Sequence, residues 1–228
     1  MPIDSETRRI IEARHAEVLG QPPRIAPMSR ETVASQVQTT TRQLMGDITG
    51  RADMPLPPID AIPEIMFTLC RFPVIWQAVM DVTVPLQGAT STLPPRDRKL
   101  AILRTGWLCL APYEFGEHVA QAKRLGFTEE ELDAIIIGAQ AEIWGDHERA
   151  ILSAVEELHR TAMVADETWA VLARRFNQAQ LFELLVLIGQ FTATAYFQNS
   201  LRLRLEVNNL GLAARIEDAY PNTDASQG

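Results

Sequence analysis

Apolar residues return every three or four positions along almost the whole chain, the pattern of helices that bury one face. Apolar–polar alternation is sustained nowhere, so an all-α protein is expected. Ile10, Ile11, Val18 and Leu19 form the apolar stripe of a first helix, which follows Asp4 and can stop at Gly20. Ser29 can cap a second helix that runs to about Met45, with Gly46 as its stop. From 47 to 63 the prolines Pro55, Pro57, Pro58 and Pro63 predict an extended surface connector. Pro63 and Pro73 then open helices over 64–72 and 74–86, because a first-turn proline gives up only an amide that lacks a helical partner anyway.

The next helix, 96–110, reads as amphipathic through Leu100, Leu103, Trp107 and Leu110. Ala111 precedes a proline and so avoids the α region; Pro112 starts a new helix over 113–125, closed by Gly126. Thr128 with Glu131 is a capping box for a helix through Ile137. Asp146 and Asp166 are expected caps of helices over 148–161 and 167–176. Asn177 opens the longest pattern, to about 205. It is apolar nearly all round, as suits a central helix or one at a subunit interface.

A chain of 228 residues with 46% hydrophobic residues can bury a large core, as one large domain or two small ones. The net charge of -8 comes with no Lys/Arg patch, which excludes nucleic acid and an anionic membrane surface as partners. The longest apolar run, Leu184 to Ile188, is far short of a bilayer span, and the polar N-terminus has no signal-peptide pattern. A cytoplasmic location is the expectation. Cys70 and Cys109 each lie in an apolar helical pattern and read as buried small hydrophobes, not a disulfide framework. The tail from Pro221 is polar and is expected to fray.

Candidate chemistry gathers after Pro112. Glu114 and His118 are one helical turn apart and share a face. A carboxylate beside an imidazole orients its ring and raises its proton affinity, which suits proton transfer near neutral pH. Tyr113 adds a phenol at the helix mouth, and Trp107 is a candidate wall or simply core. The alternative is an exposed ion pair of roughly 0.3–0.5 kcal/mol. His15, His147 and His159 read as surface residues, His147 as a solvated helix start. No zinc-ligand spacing joins the four histidines, so neither metal nor cofactor is expected.

The stretch Leu93-Pro94-Pro95-Arg96-Asp97-Arg98-Lys99-Leu100, followed by Ala111-Pro112-Tyr113-Glu114-Phe115-Gly116-Glu117-His118, resembles the carboxymuconolactone decarboxylase-like family. Trp144, Glu148 to Leu152, Glu157 to His159 and Glu183 to Val186 extend the likeness over roughly 60–205. The resemblance implies the alkylhydroperoxidase D-like helical bundle, in homotrimers or homohexamers. It divides the chain into a helical extension with a Pro-rich connector (1–58), the family domain (59–220) and a tail (221–228). The peroxidase branch of that family has Cys-x-x-Cys with a histidine four residues on. Here those positions hold Ala111, Glu114 and His118, and its relay glutamate falls on Lys99. Disulfide-based peroxide chemistry has no sulfur to act with at that motif. The decarboxylase branch, with glutamate and histidine at the last two positions, implies cofactor-independent acid/base handling of a small lactone or carboxylate from aromatic catabolism. His118 would donate the proton, Glu114 orient it, and Lys99 or Arg104 anchor a carboxylate. A non-catalytic helical binder of a small molecule or a partner is the second reading.

Overall fold

The computed structural model describes residues 4–51 and 53–214; the expected frayed tail lies outside them. The described residues form ten α-helices and two short 3-10 turns, with no strand. In chain order the helices are α1 (Ser5–Val18), α2 (Arg30–Thr49), α3 (Glu64–Leu69), α4 (Pro73–Gln87) and α5 (Pro95–Leu108). They continue as α6 (Pro112–Arg124), α7 (Glu129–Ile137), α8 (Asp146–Thr161), α9 (Asp166–Leu172) and α10 (Gln178–Leu201). The 3-10 turns are Ile59–Ala61 and Gly211–Ala213.

Local signals place most boundaries. Asp4 accepts from the Thr7 amide to cap α1, and the Thr128–Glu131 and Asn177–Gln180 pairs form reciprocal capping boxes. Helix α2 passes the expected stop at Gly46 and ends at Gly50, which takes the left-handed conformation at φ 69°. Helices α8 and α9 begin on Asp146 and Asp166 themselves, with Gly145 and Ala165 as caps; both acids sit in first turns, where the helix dipole favours them.

The expected amphipathic α5 is instead the centre of the molecule. Every residue from Leu100 to Trp107 is buried, because α6, α8 and α10 pack around it and α7 closes the rest. The main core joins Leu100, Ile102, Leu103, Phe115, Ile135, Ile151, Leu152 and Leu187. A smaller core of Val37, Ile62, Met66, Phe67 and Cys70 lies where α2 meets α3 and the first 3-10 turn. Cys70 is a buried hydrophobe there, and both cysteines are free thiols. The apolar α10 packs one face on α5, α6 and α4 but leaves Phe182 and Tyr196 about two-thirds exposed, at 69% and 66%. It is the one helix among the described residues long and apolar enough to cross a membrane.

The junction from α5 to α6 sets the geometry of the candidate site. Helix α5 ends with Cys109 as its cap, Leu110 takes a left-handed φ of 45°, and Ala111 is extended before Pro112. A left-handed leucine is strained. Its carbonyl is held from outside: Arg14 of α1 donates to it at 2.9 Å, while Asn199 of α10 donates to the neighbouring Cys109 carbonyl at 3.1 Å.

Candidate functional site

Helix α6 turns Glu114 and His118 inward, on the face that meets α5 and α10. Both are 4% exposed, so the solvated ion pair is not what the structure holds. His118 Nε2 lies 2.7 Å from Glu114 Oε1. That approach lacks hydrogen-bond alignment, and no aligned hydrogen bond reaches Oε1. On the other side of the ring, Lys99 of α5 brings its Nζ to 2.5 Å from His118 Nδ1. Lys99 also donates to Gln121 Oε1 at 2.7 Å, and Gln198 of α10 donates to Glu114 Oε2 at 2.7 Å. The result is one polar chain, Gln121–Lys99–His118–Glu114–Gln198, threaded between three helices. Phe191 covers the imidazole edge-on at 5.3 Å.

The electrostatics follow from burial and from the order of charges. Desolvation pushes the Lys99 amine down to about 8, with the negative charge of Glu114 opposing that shift. Burial, and then the neighbouring Lys99 cation, hold His118 below its ordinary value despite Glu114. A neutral imidazole thus sits between a cation and an anion. Lysine ammonium only donates, so Nδ1 is the acceptor, and the ring proton is assigned to Nε2 on the Glu114 side.

The other sequence candidates are placed differently. Tyr113 turns away: its hydroxyl is 3.3 Å from Glu206 Oε1, and that oxygen also accepts the Glu64 amide. Burial and Glu206 raise the phenol, which stays a donor to that carboxylate. Arg104 is not available to anchor a substrate. It pairs with Glu156 at 2.7 Å and donates to the Ile135 and Ile136 carbonyls at 2.9 and 2.8 Å. Trp107 packs on Phe115 with ring centroids 5.4 Å apart, as core. His147 corrects its expected solvated role, being 6% exposed, 2.9 Å from Asp97 and edge-on to Phe176. His159 is exposed as expected.

Gln121 and Gln198 were missed by the sequence reading. Gln198 had a signal, an amide inside the most apolar helix, but its partner is 84 residues away. Gln121 lies one turn beyond His118 and reads as surface until Lys99 is placed beneath it.

The all-helical bundle defines the class of fold, and the comparisons agree on that fold. Residues 71–157, which carry Lys99, Glu114 and His118, match the model of the Carboxymuconolactone decarboxylase family. Three solved structures share the fold. One is the alkylhydroperoxidase AhpD core of an uncharacterized peroxidase-related protein from Ralstonia eutropha JMP134, with TM-score 0.66 and 15% identity over 86% of this chain and 98% of that one. Another is a variant of the debrominase Bmp8 in complex with 2,3,4-tribromopyrrole, with TM-score 0.65 and 14% identity over 88% and 99%. The third, from Agrobacterium tumefaciens, is a protein of unknown function described as a putative antioxidant defence protein AhpD. Its TM-score is 0.57, with 20% identity over 61% and 95%. No curated protein matches the sequence. Over residues 71–157 the chain is similar to the Carboxymuconolactone decarboxylase family, and its fold is that of the AhpD-like structures.

Proposed function

We propose that this protein is a cofactor-independent acid/base enzyme acting on a small carboxylate or lactone, with His118 as the proton carrier. The family and a debrominase among its structural neighbours point to a catalytic role. The observation that carries the acid/base reading is the neutral His118 imidazole held between Lys99 and Glu114. Breaking a carbon–carboxylate bond, or shifting a double bond, needs a proton delivered to carbon. His118 can deliver it and be recharged by Lys99 across 2.5 Å, while Glu114 stabilises the imidazolium and Gln198 fixes Glu114. Redox chemistry through a thiol pair is disfavoured, since the motif positions hold Ala111 and Glu114 and the two cysteines are unpaired.

The test is incubation with unsaturated lactones and carboxylates in deuterated water. Carbon dioxide release or deuterium at carbon is expected, and thiol alkylation should leave both unchanged. Catalysis that vanishes on alkylation, or no exchange across the panel, contradicts the reading.

We propose too that the outer face of α10 joins copies of this chain. Phe182 and Tyr196 stand exposed on it, beside a groove of about 320 Å³ that Leu158, Leu185, Gly189 and Ala193 help to line. Light scattering should show a trimer or hexamer, and Phe182→Glu with Tyr196→Glu should dissociate it. A wild-type monomer at micromolar concentration contradicts this.

A further inference from the structure

We infer that Lys99 is a covalent catalyst, whose amine condenses with the carbonyl of a small oxo acid to form an imine. The inference deepens the acid/base reading, on which it rests for the part played by His118.

Three observations meet at this residue. First, the sequence holds two lysines among its 21 Lys and Arg residues. Lys123 is on the surface, pairing with Glu129 at 3.0 Å. Lys99 is the buried one, at the centre of the polar chain and 6% exposed. A guanidinium would hold charge there permanently, whereas an amine can give its proton up and become a nucleophile. Second, a base stands against it: the unprotonated Nδ1 of His118 is 2.5 Å from Nζ. Burial lowers the amine to about 8, so part of it is free base near neutral pH. Third, the amine ends one side chain below the surface. Its other partner, Gln121, is only half-buried and is itself held by half-buried Glu117 at 3.2 Å. A swing of Gln121 would open Nζ while leaving the His118–Glu114 pair in place.

The steps balance without an oxidant or reductant. His118 takes a proton from the Lys99 ammonium, and the free amine adds to the carbonyl carbon. His118 returns that proton to the oxygen of the adduct and relays a second one to it from the adduct nitrogen, so that the oxygen leaves as water and the iminium forms. In a 3-oxo acid the bond to the carboxylate then breaks, its electron pair passes to the iminium nitrogen, and carbon dioxide departs. The resulting enamine is protonated at carbon by His118, which first takes up a proton from water. Water hydrolyses the imine, releasing the ketone and the amine. The iminium keeps the positive charge that Lys99 had, so the balance against Glu114 is undisturbed.

The experiment treats the whole protein with acetoacetate and borohydride, then maps peptides by mass spectrometry. A reduced adduct on Lys99 is expected, lost in Lys99→Arg and kept in Lys123→Arg. An adduct carrying only the three-carbon remnant supports both the imine and decarboxylation. One that keeps the carboxylate supports the imine and contradicts decarboxylation of this substrate. No adduct, or label on Lys123 alone, overturns the imine and leaves proton transfer by His118 to its own test. Mapping of the wild type keeps the inference falsifiable if Lys99→Arg fails to fold.

Discussion

Replacing His118 by alanine should lower turnover of a responsive lactone or carboxylate by roughly a hundred- to ten-thousand-fold, the usual contribution of one positioned acid/base group. The reason is topological as much as chemical. His118 is the link of the polar chain that joins Lys99 to Glu114, so its loss separates that cation from that anion. Glu114→Gln should fall into the same range. An amide keeps the volume between His118 and Gln198 but carries no charge to stabilise an imidazolium. The measurement is kcat and kcat/KM for each variant beside a far-ultraviolet spectrum. Helicity should be retained, because both side chains leave α6 with its first-turn proline and its packing of Phe115 and Val119. If both variants turned over substrate as the wild type does, with helicity intact, His118 would not be the proton carrier.

The second large effect is on stability. Gly116→Ala should cost about 3 kcal/mol, by overpacking and loss of buried hydrogen bonds together. A methyl group built there would fall 1.9 Å from Asn209 Oδ1, which is held by its own hydrogen bonds, and 2.7 Å from the Gly211 amide, which is main chain. Asn209 is buried and ties the chain end to α6, donating to the Tyr113 carbonyl at 2.9 Å and accepting the Gly211 amide at 2.9 Å. The thermal midpoint should fall by about 6–12 °C, as a change of that size does in a chain of this length. Asn209→Ala in the same background removes the closest clash, so the double variant should lose less than the sum of the singles. Calorimetry of the four proteins checks it; an unchanged midpoint for Gly116→Ala would mean that the segment near 210 does not pack on α6.

Hydrophobic period, caps and prolines determined the helices and most of their ends. These are local properties, and the chain has strong local signals such as Thr128 with Glu131 and Pro112 after Ala111. Glu114 and His118 were legible for the same reason, since one helical turn brings them together without help from the rest of the fold. What only the tertiary structure decided is which elements surround which. Helix α5 reads as half-polar, yet it lies at the centre, so its charged residues had to find partners inside the protein. Lys99 and Arg104 are five residues apart, about 140° around the helix axis. They therefore face different neighbours: Lys99 meets His118 of α6, and Arg104 meets Glu156 of α8. Gln198 reaching Glu114, and Asp97 reaching His147, likewise join residues far apart in the chain. No periodicity encodes such pairs, because they arise from the packing of whole helices, and packing is set by the shapes of all the faces at once.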